Sequence, residues 1–575
     1  MEAQGTIWCN LPLEIWDHIM SYMNTDDLAN YCLVSKAWYS ICAPYLYQSI
    51  MIEDPDDLAV VLCNSPRAPG RHVKKIVLDY ESMSLEETYD QLRMLIDYCP
   101  NVEVFTSDEI LTFLWWNGFL KVLQDGHMWR KIQKIPETIR ESDNMDLYYQ
   151  CSRHLRQSLQ TIQLLGPRFE PVRDTDVRWL NDFPCLNSLE VYPRIGFATA
   201  QDFELLLKYT QHLRQLTVDW HDFGLSQTEL EWLEATQARQ MPRIDIYPSM
   251  ECLRVTGCFS FDSVYMPQLC YFFQKFPRLK TAQLTIHSAN LFDNIFTQYI
   301  SRIPHVMIKV RYATILLQVL NTFVGLEYQK VLELEYAPEF HYLRQMVVRL
   351  KMTKNEVNCS IIGELGDDFL SSVSIDILQT IGFRIHHLTI EHPFRIWQGF
   401  NLGVYGDLCP RLQTLEVSYV EVEQFALDVL EEHRELRHIK LIDSVINNDA
   451  IFSALSTLVP NLETLVLEDC TFFRERTFPF TLVMDMPHTR FNHHLHIDLT
   501  NVDFEKILLR LSIGTKRSNY YLCQDNGTMQ VPNFVVQELY ANYHPYVATL
   551  FIRCQHLRRL ELTLPDEEKN IVCYF

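Results

Sequence analysis

The sequence predicts an α/β solenoid, a curved parallel sheet backed by outer helices, behind a short all-helical head. Three observations predict it. A kernel of the form apolar-x-x-apolar-x-apolar returns along the chain, its first position falling at Leu159, Leu186 and Leu213, 27 residues apart each time, and again at Ile385 and Leu412. Between kernels the apolar residues move to helical spacing, as in Val422, Phe425, Ala426, Val429 and Leu430, or Ile451, Ala454, Leu455 and Leu458. The N-terminal segment instead reads as three short helices.

In the head, Pro12 suits a helix start, since its missing N–H would find no partner there and its φ is already helical. Leu13, Trp16, Ile19, Met20 and Met23 follow at three- and four-residue steps and predict one apolar stripe. Thr25 is placed as the cap of a second helix, with Asp26 and Asp27 in its first turn, where the helix dipole favours negative charge. Ser35 opens a third. A unit this small has little interior, so Leu11, Leu13, Ile15, Trp16, Leu28, Leu33, Val34, Trp38 and Tyr39 cannot all bury against one another. They cover the segment that follows or meet a partner.

The succession Leu11-Pro12, Glu14-Ile15, Leu33-Val34-Ser35-Lys36 and Trp38, running on to Leu46-Tyr47 without a gap, resembles the F-box. The resemblance implies docking on a Skp-type adaptor, and through it on a cullin and a RING protein. Leu11, Pro12, Ile15, Ile19, Leu28, Leu33, Val34 and Trp38 carry over as the adaptor contact. Residues 1–50 are then the F-box and 51–72 a linker, which holds the acidic Glu53-Asp54-Pro55-Asp56-Asp57 and a Pro/Gly-rich stretch. Residues 73–575 are the array.

Further kernels begin at Val73, Met250, Leu436, Leu462 and Leu557, with a weakened copy at Leu279. A damaged copy is expected near Trp129 and Ile132, and strand-like segments near Val306, Val331 and Val357 fill the long gap before Ile385. The period lies in the leucine-rich repeat range, with about 17 to 19 copies. Proline before several kernels, as in Cys99-Pro100, Phe183-Pro184, Cys409-Pro410 and Val459-Pro460, stops one helix and sets up the next strand. The Asn or Cys expected three residues past the kernel survives only as Cys258 and Cys470 in most of the array. Inserts are expected near 104–152, 224–249 and 472–556. A doubly wound sheet also alternates strands and helices, but does not require so regular a period. The protein as a whole resembles F-box leucine-rich repeat proteins of a fungal type. By that resemblance it selects targets for a Skp, cullin and F-box ubiquitin ligase, or serves as a non-ligase scaffold that recruits the adaptor.

Composition excludes some alternatives. A formal charge of -23 argues against a nucleic-acid surface, which needs clustered cations. Sixteen scattered cysteines without a Cys-x-x-Cys pair read as a reduced, intracellular chain, cytoplasmic or nuclear. There is no secretory h-region, and the apolar run Ala313 to Leu326 is too short to span a bilayer, so no membrane partner is expected.

No catalytic constellation is visible, so no enzyme activity, cofactor or metal is expected. His494 and His496 share a strand face beside His493, yet nothing at ligand spacing completes a zinc site in the sequence. His386, His387 and His392 read as solvated, and Gly514-Thr515-Lys516 as a basic turn. Trp115, Trp116 and Phe119, near Lys121, Arg130, Lys131 and Lys134, read as a buried aromatic stripe with a basic edge. The positions between kernel leucines point away from the core. Those of Glu190, Tyr192, Asp219, Arg254, Glu391, Glu416, Lys440 and Glu468 are the candidate target contacts, for a protein with a basic or polar recognition segment.

Overall fold

The structure is a computed structural model that describes residues 12–53, 69–79, 85–107, 111–137, 142–164, 177–191, 200–219, 246–256, 272–286, 300–310, 312–324, 331–336, 346–353, 356–363, 372–391, 402–422, 432–472, 480–500, 506–514, 518–524, 527–532, 547–564 and 570–575. It divides into two units, one of residues 1–258 and 264–280, the other of 259–263 and 281–575.

In the first unit the head comprises α1 (Leu13–Met20), α2 (Thr25–Val34) and α3 (Lys36–Leu46). Pro12 precedes α1 with φ -54 and ψ 148. Asn24, rather than Thr25, caps α2: its Oδ1 accepts from Asp27 N–H at 2.7 Å, and Thr25 is already helical. Ser35 caps α3 by accepting from Trp38 N–H at 3.2 Å. Each such cap contributes about 1 kcal/mol. The stripe expected on α1 is divided. Trp16 and Met20, one turn apart, join Leu28, Cys32, Cys42 and Ala43 in the core, while Ile15 and Ile19, one turn apart on another side, stay exposed. Trp38 meets Trp16 edge-on at 5.9 Å and stacks on Tyr31 at 5.1 Å.

The chain leaves the head directly into a sheet. β1 (Ser49–Ile52) pairs in parallel with β2 (Lys75–Leu78), and β2 with β3 (Val104–Ser107). The expected boundary at residue 50 thus falls inside a strand, and residues 54–68 of the expected linker lie outside the described ones. The stretch 104–152 contains helices Phe113–Gln124 and Ser142–His154 and the damaged copy itself. That copy keeps Trp129 and Ile132 buried but is reduced to a bridge between Val104 and Lys134. Its backbone still links the row, since Gln133 N–H donates to Glu103 O and Thr161 N–H to Gln133 O. β4 (Thr161–Leu164), β5 (Ser188–Val191), β6 (Gln215–Asp219) and β7 (Cys252–Thr256) continue in parallel, kernel against kernel. Residues 224–245 of the second expected insert lie outside the described ones.

The second unit opens with β8 (Thr281–Ile286), β9 (His305–Val310) and β10 (Val331–Tyr336), all parallel. β11 (Met346–Met352) then runs antiparallel to both β10 and β12 (Val357–Gly363). β13 (Ile385–Glu391) and β14 (Thr414–Ser418) restore the parallel order. The next three repeats are the most regular. After β14 come β15 (Glu421–Val422), β16 (His438–Ile442), β17 (Val445–Ile446), β18 (Thr464–Glu468) and β19 (Thr471–Phe472), of which β15, β17 and β19 form a small sheet of their own. The turn between is made by a residue at positive φ, Tyr419, Asp443 or Asp469. Val422, expected within a helix, lies in β15; the rest of that pattern falls outside the described residues. Ile451, Leu455 and Leu458 do form the buried face of helix Ala450–Leu458.

Within the expected insert at 472–556 the described residues add a second sheet and one more strand of the main one. β20 (Thr481–Phe491), β21 (His494–Asp498), β22 (Lys506–Ile513), β23 (Asn519–Gln524), β24 (Gly527–Val531), β25 (Val547–Leu557), β26 (Arg559–Thr563) and β27 (Asn570–Tyr574) follow in turn. β21, β26 and β27 extend the main sheet, and the others make a five-stranded sheet ordered β20-β25-β22-β23-β24. β20 packs against helix Ala450–Leu458, with His488 N–H donating to Ser456 Oγ at 2.9 Å. Along β9, β10, β16 and β18 burial alternates residue by residue, so kernel apolar residues fill the core and their neighbours line an open face. Among the described residues no helix is long and apolar enough to cross a membrane.

Candidate functional site

The head presents apolar side chains that its own core does not use. Leu33 is 82% and Val34 64% exposed at the end of α2, and Ile15 and Ile19 are exposed on α1. The reason is helical phase: Leu28 and Cys32 face inward one turn apart, which turns Leu33 and Val34 outward before Ser35 ends the helix. Pro12 is exposed, and Leu11 lies outside the described residues. Leu28 differs from the other candidates: at 6% exposure it belongs to the core, and it supports the surface by holding the helices. Trp38 is half-buried between Trp16 and Tyr31. Tyr22 and Tyr31 are exposed as well and were not among the expected contacts; their spacing does not distinguish them from core tyrosines.

On the open face of the first unit, Glu190 aligns with Gln163 on one side and Thr217 on the other. Its carboxylate is already engaged, accepting from Gln163 Nε2 at 3.0 Å and facing Lys134 Nζ at 3.5 Å. Arg254, the next residue in that row, is exposed and has no ion pair among the described residues. Asp219 closes β6, and Tyr192 lies outside the described residues. In the second unit one row runs Arg349, Ser360, Thr389, Glu416, Lys440. Lys440 is tied to Glu468 at 2.6 Å. Glu391 and Glu416 are half-buried and carry no ion pair among the described residues.

The antiparallel strand β11 makes a cleft of about 500 Å³ on this face. Glu333 and Glu335 stand on one side, against His305, Lys309 and Lys351, with Arg349 and His387 opposite. Sequence reading missed this cleft because β11 carries no kernel. Farther along, His438 has its imidazole held below the usual range by burial, against the opposing carboxylate of Glu463. Trp115, Trp116 and Phe119 are fully buried, while Lys131 reaches Asn101 and Lys134 reaches Glu137 and Glu190. No disulfide joins any two of the described cysteines.

Comparison with known proteins adds a family for the head. No curated protein matches the chain. Solved structures similar to it include one titled as a TLR13–ssRNA13 complex, 12% identical over 80% of this chain with a TM-score of 0.34. This chain spans 62% of the length of that one. An internalin from Listeria monocytogenes is also 12% identical, over 73% of this chain and 90% of its own, with a TM-score of 0.23. The family described as F-box-like matches residues 8–53, the segment that holds all three helices and β1. The N-terminal head is thus an F-box-like domain, and the chain carries it ahead of an α/β array whose kernels pair strand on strand.

Proposed function

We propose that this chain is the target-selecting subunit of a Skp, cullin and F-box ubiquitin ligase. The observation that carries the reading is the exposed Leu33, Val34, Ile15 and Ile19 on a head whose core is complete without them. Exposed large apolar groups on so small a domain favour a protein partner that desolvates them, and F-box-like domains generally take a Skp-type adaptor. The open faces bind the target, and each unit offers it charges that the described structure does not neutralise, Arg254 in the first and Glu391 and Glu416 in the second. The chain itself supplies no chemistry. It raises the effective concentration of a target beside the conjugating enzyme that the cullin and RING protein bring. Its place of action is the cytoplasm or nucleus.

The test is co-purification from cells of the intact chain and a Leu33→Asp/Val34→Asp variant, scored for adaptor and cullin. The reading expects both partners with the intact chain and neither with the variant. Adaptor without cullin would reassign the chain as a non-ligase scaffold, and recovery of both by the variant would refute the docking surface. A Glu391→Lys/Glu416→Lys variant should keep adaptor and cullin but lose captured target.

A further inference from the structure

Near the C-terminus the fold brings together three donor groups that lie far apart in the chain. His494 and His496 sit two residues apart on β21 and so share its open face. Glu561 on β26 is the residue opposite His496 in the parallel ladder. One donor atom from each of the three lies within 4.8 Å of the others, and all three side chains are half-buried. The two rings stand at 87° with centroids 5.8 Å apart, so their nitrogens converge without stacking.

We propose that His494, His496 and Glu561 form a three-ligand site for a zinc-class divalent metal ion, with its fourth position turned to the open face. Two imidazoles and a carboxylate are a donor set that zinc accepts in four-coordinate sites, and the harder cations that take all-oxygen shells do not favour it. Zinc bonds of about 2.0–2.2 Å place tetrahedral ligand atoms about 3.4 Å apart. Side-chain rotation alone closes the remaining gap, and His494 Nε2 is already 3.2 Å from Glu561 Oε2. That nitrogen is buried, and its contact with the carboxylate is an ion pair without good hydrogen-bond geometry, which a metal between the two would replace. Outer contacts are in place as well: His496 Nε2 lies 3.4 Å from Thr563 Oγ1.

One group opposes the ion. Arg559 Nη2 donates to Glu561 Oε2 at 2.7 Å, and a metal must displace it. The displacement is feasible because the Arg559 side chain is 39% exposed and its Nε is a buried atom without a partner. This competition gives the site a signature. Removing the guanidinium should strengthen metal binding, whereas casual binding to surface histidines would not respond.

The experiment titrates the full-length protein with Co²⁺, read by its visible ligand-field absorption, and then displaces it with Zn²⁺. The expected result is one site whose four-coordinate band is lost in His494→Asn/His496→Asn and whose affinity falls at least about tenfold in Glu561→Gln. In Arg559→Gln it should rise roughly two- to fivefold, as expected for release of a partly exposed ion pair. Unfolding midpoints without metal confirm that each variant is folded. No band in the intact chain, or equal affinity in the intact, double-histidine and Glu561→Gln proteins, overturns the proposal and leaves an ion network of His494, Glu561 and Arg559. Adaptor capture plays no part in this readout, so it stands or falls apart from the ligase reading.

Discussion

Single side chains divide between holding the head and exposing it, and the division is testable. Leu28 is buried among Trp16, Met20 and Cys32, so Leu28→Ala should cost about 2–5 kcal/mol of head stability. Leu33→Ala should change the stability by no more than about 0.5 kcal/mol, because its side chain is exposed. A calorimetric scan of both variants checks the contrast. His433 offers a second residue-scale test. Its ring packs where a side chain on Gly406 would otherwise sit, its Nε2 is buried without a partner, and burial lowers its pKa, with Asp407 opposing. The unfolded chain takes up this proton near the ordinary value of 6.5 and the folded chain only at lower pH. The stability tied to the neutral ring is therefore complete above that value and is lost as the pH falls below it. His433→Gln should shrink the drop in thermal midpoint between about pH 7.5 and pH 5.5; an unchanged drop would remove His433 as a source of it.

At the scale of elements, two repeats share a joint that the kernel does not reveal. Gly70 and Gly382 each stand three residues ahead of a kernel, and each faces the next repeat's Cys-Pro corner. A Cβ at Gly70 would lie 2.4 Å from Tyr98 O and 3.1 Å from Cys99 Sγ; at Gly382 it would lie 2.0 Å from Leu408 O and 3.2 Å from Cys409 Sγ. The obstacle is backbone, which cannot turn aside, so Gly382→Ala should destabilise the second unit by about 1–3 kcal/mol in denaturant unfolding. Burial in the same corner pushes the Cys409 thiol up to about 12. The strands of the array were legible because the kernel form returns at near-regular spacing over much of the chain and its leucines have only one core to fill. β11 and the β20–β25 layer were not, since neither follows the kernel and their pairing depends on residues distant in sequence. The same limit hid Glu561 from His494 and His496: Glu561 is the cross-strand neighbour of His496 yet follows it by 65 residues, which leaves no spacing signal. Ser444 shows a milder case. It occupies the position of Cys470 and stands in for the expected Asn or Cys, its Oγ donating to Ile442 O at 2.8 Å, so a polar ladder persists through a residue type that the pattern does not name.

For the whole molecule, the proposed division of labour is adaptor docking by the head and target choice by the open face of the array. The helices of the head were readable from Pro12, Ser35 and the apolar spacing, although the cap of α2 is one residue earlier than expected, and the family was readable from a motif spread over residues 11–47. Which apolar residues remain outside was not, because that depends on the helical phase of α1 and α2 against each other. The assignment predicts that surface changes on the head abolish docking without unfolding the chain. The most direct measurement is the affinity of the purified full-length protein for a purified Skp-type adaptor, by titration calorimetry, beside the Leu33→Asp/Val34→Asp variant. The account predicts a one-to-one complex that the variant weakens by roughly a hundredfold or more, a loss of about 3 kcal/mol, at an unchanged unfolding midpoint. No complex with the intact protein, or equal affinity in the two, would contradict it.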